Sequence, residues 1–282
     1  MILVTGANGM VGSYCKSVFG DCRLTDLPVL DVTDYWSIRN GFRQASDTID
    51  FVLHLAAKTD VDACERDPDD AYRINTLGTL NVAISCQLFD IPMIYVSTGA
   101  VFHGDKPEPY TEFDTPNPIS VYGKSKLEGE KIVQSLLKKY FIVRASWMMG
   151  GGIKDHKFVA NIIRFCETKP EIGAVADCYG SPTYARHLLW NIKRLIATPY
   201  YGIYHMANGG MCNRFELACE IVKNLGKEVK VNSLLAAQFP ASAPRGRSEA
   251  LRDYKLDLLG LNMMPDWKDA LKQYMFELKG TL

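Results

Sequence analysis

Ile2-Leu-Val-Thr-Gly6-Ala-Asn-Gly9-Met-Val-Gly12 is the stretch from which the fold can be read. Residues 1–5 form an apolar run too short for a helix, so they read as a buried strand. Three glycines at a spacing of three follow, and then a helical pattern to about Phe19. Glycines so placed permit a tight turn, a close approach of backbone to a pyrophosphate, and close packing of helix on strand. The helix N-terminus then faces the phosphates. A glycine triplet alone is a weak signal, but this one lies between a strand and a helix at the start of the chain, the context the motif requires.

Working outward, Cys22-Arg-Leu-Thr25 is predicted as a second strand that ends at Asp26. A carboxylate there can accept hydrogen bonds from adenosine ribose hydroxyls and repels a 2'-phosphate, which favours NADH over NADPH, although Arg23 stands nearby. Asp34 is placed to cap a helix, and Phe51-Val-Leu-His-Leu55 reads as the third strand. Ala56 and Ala57 at its end are small enough for a flat cofactor to lie against the backbone. His54, apolar on both sides, reads as a core residue packed within the sheet. A helix over 67–89 carries Asn75 and Gly78, and Ile91-Pro-Met-Ile-Tyr-Val-Ser-Thr98 is the fourth strand. Strands alternating with helices imply an α/β fold, a Rossmann-type doubly wound parallel sheet.

A Pro- and acid-rich loop over 104–118 leads into Ile119-Ser-Val-Tyr-Gly-Lys-Ser-Lys-Leu-Glu128, where Tyr122 and Lys126 share a helix face. A free tyrosine titrates near ~10, and a fixed cation beside it favours the phenolate. Tyr122 is therefore a candidate proton donor. With 14 Tyr and 32 Lys plus Arg in the chain, about one such pair arises by chance, and an amphipathic helix with a half-buried Tyr is the bland alternative. What outweighs it is Thr98, delivered to the carboxyl edge of the sheet, where open α/β sheets bind ligands. Phe141-Ile-Val-Arg-Ala-Ser-Trp147 reads as a further strand, and Gly150-Gly-Gly152 breaks the regularity.

Residues 1–150 are thus expected to form the dinucleotide-binding domain. Residues 151–282 are expected to form mainly a smaller C-terminal substrate-binding lobe, with some segments returning to the first domain. In this half the patterns predict helices over 156–168, 185–196, 214–225 and 267–278, a turn at 180–182, a strand over 202–205, and an exposed loop over 239–247.

Composition narrows the function. The 32 basic and 32 acidic residues balance, which gives no field for nucleic acid or anionic lipid. The eight cysteines are scattered without a Cys-x-x-Cys pair, as expected of buried thiols in a reducing compartment. No signal peptide pattern or membrane-spanning run is seen, so a cytoplasmic location is expected.

With Gly6-x-x-Gly9-x-x-Gly12, Thr98, Tyr122 and Lys126 in this order, the chain resembles the extended short-chain dehydrogenase/reductases. Within them it is similar to the dTDP-4-dehydrorhamnose reductases over nearly its whole length. Leu30-Asp-Val-Thr-Asp34, Val61-Asp62, Val121-Tyr-Gly-Lys-Ser-Lys-Leu-Glu-Gly-Glu130, Arg144-Ala-Ser-Trp147, Gly180-Ser-Pro-Thr-Tyr184 and Gly202-Ile-Tyr-His205 carry the likeness. It implies NAD(P)H-dependent reduction of a nucleotide-linked 4-keto-6-deoxy sugar, with Thr98, Tyr122 and Lys126 catalytic. NADH or NADPH would be held by Gly6, Asn8, Gly9, Met10, Val11, Gly12, Asp26, Asp31, Val32, Leu55, Ala56, Ala57 and Asn75, together with Tyr122 and Lys126. Trp147, Lys157 and Arg245, with Thr98, would meet the sugar nucleotide.

Some positions depart from the pattern. Gly99-Ala100 stand where these reductases carry Asp-Tyr beside the sugar, which is closer to the sugar-nucleotide epimerases and leaves the sugar open. Arg245-Gly-Arg-Ser248 replaces Arg-Pro-x-Asn-Ser. Tyr14 stands where some members place a glutamate of a metal-bridged dimer, so no metal is expected, and a homodimer stays open. An epimerase, or a non-catalytic regulatory subunit like the methionine adenosyltransferase beta subunit, is the alternative function.

Overall fold

The computed structural model describes residues 1–44, 48–239 and 241–279. Its strands are β1 (Ile2–Thr5), β2 (Cys22–Thr25), β3 (Phe51–His54), β4 (Met93–Thr98), β5 (Tyr140–Ala145), β6 (Met148–Met149), β7 (Glu171–Val175), β8 (Tyr179–Gly180), β9 (Thr183–Tyr184), β10 (Gly202–His205), β11 (Cys212–Asn213), β12 (Lys230–Leu234) and β13 (Ser248–Glu249). The helices are α1 (Cys15–Phe19), α2 (Tyr35–Arg43), α3 (Val61–Arg66), α4 (Pro68–Tyr72), α5 (Gly78–Leu88), α6 (Val121–Leu136), α7 (Phe158–Thr168), α8 (Ala185–Leu195), α9 (Arg214–Leu225), α10 (Tyr254–Leu258) and α11 (Trp267–Lys279).

A sheet in the order β10-β5-β4-β3-β1-β2, parallel throughout, forms the centre. The chain leaves β1 for β2 on one side and returns to β3 on the other, so the strand order reverses between β1 and β3. That reversal opens a crevice at the carboxyl edge of the sheet. Side chains alternate between the two faces. Ile2, Val4, Leu53, Ile94, Phe141 and Val143 join a core with residues of α1, α7, α8, α9 and α11. Leu3, Val52, Met93, Tyr95 and Ile142 join a second core with residues of α2, α5 and α6. Burial on both faces is why these strands read as nearly continuous apolar runs.

Asp34 caps α2 through Trp36 N–H, Ser120 caps α6 through Gly123 N–H, and Asn213 with Glu216 forms a capping box on α9. The helix expected over 67–89 is one rod in three parts, with a π-helical turn at Arg73–Leu77 between α4 and α5. Helix α3, capped by Asp60, lies in a stretch for which no helix was expected. The strand expected to reach Trp147 ends at Ala145, and Trp147 itself has φ +34°.

Strand β10 returns from the second half to pair with β5 at the edge of the main sheet. The rest of that half adds three small sheets, β11-β8-β13, β12-β7 and β6-β9. The parallel pair of β7 and β12 was not foreseen. The segment expected as an exposed loop over 239–247, of which Pro240 lies outside the described residues, is mostly exposed. Ala243 within it is buried, however, and Gly246 is pressed against His103. Among the described residues no helix is long and apolar enough to cross a membrane.

Candidate active site

The three glycines of the first loop have different surroundings. Gly6, at φ +69°, lies so close to the exit of β3 that a Cβ would stand 2.5 Å from Ala56 N, and one on Gly12 would stand 2.2 Å from the Ala7 carbonyl oxygen. Both are demanded by packing. A Cβ on Gly9 would meet only the Gly6 carbonyl oxygen, at 3.4 Å, so there the bare backbone faces open space that a pyrophosphate can enter. A cleft of about 400 Å³ beside this loop is lined by Asn8, Gly12, Asp26, Leu27 and Lys154, among others. The glycine loop and this cleft fit the dinucleotide that the sequence implies.

Asp26 accepts Asn8 N–H and Leu27 N–H, each at 2.8 Å, and so ties the glycine loop to the end of β2. Leu55, Ala56 and Ala57 lie at the exit of β3 facing the loop. Gly151 packs on Met10, with a Cβ position 3.0 Å from Met10 Cα, while Val11 packs against the core. Gly151 N–H also donates to the Tyr14 hydroxyl at 2.8 Å, which donates to Glu277 at 2.6 Å. Tyr14 thus joins the glycine loop to the turn after β6 and to α11.

Three residues expected at the cofactor have side chains engaged within the protein. Asn75 is fully buried in the π-helical turn, where its amide accepts Lys58 N–H at 2.8 Å and donates to Lys58 O and Ser125 Oγ. It clamps the loop after β3 to α6 and has no face toward the cleft. Asp31 turns inward to accept Thr33 N–H and Oγ–H, both at 2.8 Å, and Val32 is buried against Gly78.

Thr98 at the end of β4 and Tyr122 in the first turn of α6 are brought together, the Thr98 side chain close enough to the Tyr122 hydroxyl to draw its pKa down. Thr98 Oγ1 also accepts Ala100 N–H at 3.1 Å. Lys126 is buried one turn further along α6, where its ammonium donates to Val96 O at 2.8 Å and lies 4.1 Å from the centroid of the Tyr95 ring. The expected lowering of the Tyr122 pKa by Lys126 is not found. Burial pushes the Tyr122 phenol up to about 12, with the Thr98 side chain opposing, and burial lowers Lys126 to about 7, with Glu130 opposing. In a water-poor cleft each charged form is penalised before the two can help one another. His54 lies in the core as expected, hydrogen-bonded to Thr5 and Thr79, and its burial, followed by Lys126, lowers its pKa to about 3.

On the opposite side of the cleft the expected substrate residues diverge. Arg245 is engaged with Asp62, Nη2 to Oδ2 at 2.8 Å and Nη1 to Oδ1 at 3.2 Å, and this holds the Asp62 carboxyl at about 2. Lys157 reaches Thr59, its ammonium 3.3 Å from Oγ1, and burial lowers its pKa. Trp147 is half-buried with its indole against Gly180, and beside it stands a residue that the sequence analysis did not single out. The Arg214 guanidinium lies 3.5 Å from the centroid of its ring. Arg214 follows a helix cap in sequence, and a cation in a first helical turn is ordinarily only exposed surface.

Known proteins resemble this chain throughout its length. The family described as "RmlD substrate binding domain" matches residues 1–279. The spore coat polysaccharide biosynthesis protein SpsK of Bacillus subtilis is 33% identical, over 98% of this chain and 97% of its own. The dTDP-4-dehydrorhamnose reductase of Mycobacterium tuberculosis is 33% identical, over 96% of this chain and 90% of its own. The crystal structure of dTDP-4-dehydrorhamnose reductase from Bacillus anthracis, in complex with NADP, is 38% identical and superposes with a TM-score of 0.94, covering 98% of each chain.

Proposed function

The chain belongs to the RmlD substrate-binding family, and from that premise we propose that it is an NAD(P)H-dependent oxidoreductase that reduces a nucleotide-linked 4-keto-6-deoxy sugar, dTDP-4-dehydrorhamnose, to the corresponding dTDP-rhamnose. The observation that carries this reading is the convergence of Thr98, at the end of β4, with Tyr122, in the first turn of α6, at the sheet's carboxyl edge, with Lys126 buried one turn further on. The open Gly9 backbone, the exit of β3 and Asp26 would hold the dinucleotide, which supplies a hydride when bound. Thr98 and Tyr122 then donate hydrogen bonds to the carbonyl oxygen where negative charge develops, and Tyr122 delivers its proton there. A phenol near 12 remains fully protonated at neutral pH until an alkoxide, a stronger base, forms beside it. Lys126, fixed by Val96 O, keeps a hydrogen-bond donor one helical turn from Tyr122, positioned for the nicotinamide ribose.

The test is to supply dTDP-4-dehydrorhamnose with NADH or NADPH and follow cofactor oxidation and dTDP-rhamnose formation together. One cofactor oxidised per sugar reduced is expected. Turnover of a sugar nucleotide without net cofactor consumption would instead place the chain among the epimerases, and no turnover with any keto sugar would favour a regulatory role.

A further inference from the structure

A second constellation, which the chemistry above does not use, lies against the residue that follows Thr98. Trp147, Arg214 and Glu249 come from three separate segments and meet over Gly180, the central residue of the β11-β8-β13 sheet, which pairs with Cys212 on one side and Glu249 on the other. A Cβ on Gly180 would stand 2.2 Å from the Trp147 indole, so the indole rests on the strand itself. Arg214 covers the ring's other face and lies 4.7 Å from the Phe158 centroid. The Glu249 carboxylate lies close enough to the Trp147 side chain and to the Arg214 guanidinium for both to oppose the rise that burial gives its pKa. A bulky residue at φ +34° is held there only by its surroundings, and such strain gathers at functional sites.

A second observation concerns how Glu249 is held. The segment 246–249 is pressed against the segment that leaves β4 through contacts only glycine allows. A Cβ on Gly104 would stand 2.5 Å from Gly246 Cα, one on Gly246 would stand 2.4 Å from His103 O, and one on Gly99 would stand 3.0 Å from Glu249 O. Ser248 N–H donates to Gly104 O at 3.1 Å. The backbone of Glu249 is thereby fixed to the end of the strand that carries Thr98, and its carboxylate lies close enough to Tyr122 to oppose that phenol's ionisation. A carboxylate so placed hinders its neighbour and is itself poorly hydrated, so packing alone does not account for it. Gly99-Ala100 offer no polar side chain here, whereas a carboxylate is an acceptor that suits hydroxyl donors.

We propose that Glu249 reads the sugar, accepting the hydrogen of the ring hydroxyl adjacent to the keto carbon, while Arg214, above Trp147, holds the diphosphate. The substrate class is a nucleoside diphosphate hexose that keeps that hydroxyl free. This rests on the reductase reading and deepens it. Arg245 and Lys157 are less suited to the diphosphate, being engaged with Asp62 and Thr59.

The experiment is calorimetric binding of dTDP and of dTDP-L-rhamnose to the NADP-loaded protein, for the wild type, Glu249→Ala, Glu249→Gln and Arg214→Met, with the thermal midpoint and cofactor affinity of each measured beside it. Glu249→Ala should weaken dTDP-L-rhamnose by about 10–100-fold, the range of a hydrogen bond to a charged group, and leave dTDP within about twofold. Glu249→Gln, which keeps an acceptor of the same size, should lose less. Arg214→Met should weaken both ligands. Unchanged dTDP-L-rhamnose binding by Glu249→Ala, or an equal loss of both ligands, overturns the proposal. A wild type that binds dTDP-L-rhamnose with the expected losses yet reduces no 4-keto sugar overturns the reductase reading alone, and one that binds neither ligand overturns both.

Discussion

Two arginine–glutamate pairs in this chain are put to different uses. Glu130 of α6 and Arg144 of β5 are 0% and 2% exposed, and they meet as a fork, Nη2 to Oε2 at 2.6 Å and Nε to Oε1 at 2.9 Å, with Ser97 Oγ donating to Oε1 at 2.5 Å. Both carboxylate oxygens are matched, and the pair binds α6 to the sheet at the depth where Lys126 needs a fixed position. Arg214 instead lies over the Trp147 ring, with Glu249 as a neighbouring negative charge. Burial raises the Glu249 pKa and lowers that of Arg214 to about 10, in each case against the partner's opposing pull. The first pair is closed off from solvent, with Arg144 Nη1 left buried and without a hydrogen-bond partner. The second is only partly buried, so a ligand can reach it, and that access distinguishes a site from scaffold better than the presence of charge does.

The largest effect that can break this comparison lies in turnover. Tyr122→Phe keeps the ring in its packing and removes the hydroxyl, so the chemical step should slow by about 10²–10⁴-fold while folding and cofactor affinity stay near wild type. Single-turnover kinetics with cofactor titrated separately makes the check. Near-normal turnover would falsify the assignment of the acid. Thr98→Val should give a smaller loss of the same kind, since it removes one donor to the oxygen where charge develops.

Next in size is the scaffold pair. Glu130→Ala leaves Arg144 buried without its partner, and about 3–5 kcal/mol of stability should be lost, a fall of roughly 10 °C in Tm. Glu249→Ala should cost about 1 kcal/mol or less, because Arg214 and Glu249 keep partial exposure that Arg144 and Glu130 lack. Urea and thermal melts of the two variants side by side decide it. Equal losses would mean that Glu249 is scaffold after all.

What could be read from the sequence follows the same division. Strands buried on both faces appear as apolar runs, so β1, β3, β4 and β5 with the glycine loop were legible, as were Thr98, Tyr122 and Lys126 as a set. Strands β8, β9, β11 and β13 have two residues each and exist only because a tertiary partner lies beside them. No periodicity can reveal an element that short. Charged residues were hardest to assign. Arg245 was expected at the sugar nucleotide and is here paired with Asp62, and the Asn75 amide bonds Lys58 and Ser125. Arg214 and Glu249, far apart in sequence, acquire meaning only where they meet over Gly180. The direction of the Tyr122 shift was misread because depth of burial, which outweighs the neighbouring cation, is not written in a four-residue spacing.

Lys126 yields a prediction of intermediate size. Its pKa falls from 10.5 to about 7 on folding. Between about pH 7 and 10 the unfolded chain therefore holds a proton that the folded chain has released, and stability should rise with pH across that window, by at most about 1.4 kcal/mol per pH unit. Below it both states are protonated and the slope vanishes. Lys126→Met should lack this rise, so the difference in urea midpoint between variant and wild type must change with pH. A constant difference from pH 7 to 10 would show that the ammonium is as well hydrated folded as unfolded. The same variant should bind cofactor more weakly.

The smallest expected effect falls on a residue that belongs to scaffold and site at once. Asp26 accepts two backbone N–H groups, from Asn8 and Leu27, as a scaffold carboxylate does, yet it also lines the cleft beside the glycine loop, with Lys154 on the same wall. Its charge disfavours a 2'-phosphate, while the ammonium of Lys154 acts the other way. Because both groups are in contact with water, each contributes on the scale of about 1 kcal/mol. Asp26→Ser should then raise the ratio of NADPH to NADH use, measured as kcat/KM for each cofactor, by roughly tenfold, at the cost of one anchor for the glycine loop and a modest rise in KM for both. Lys154→Ala should move the ratio in the opposite direction. If the wild type already strongly prefers NADPH and Asp26→Ser leaves that preference unchanged, the carboxylate is spent on Asn8 and Leu27, and Asp26 belongs with Glu130 on the side of the scaffold.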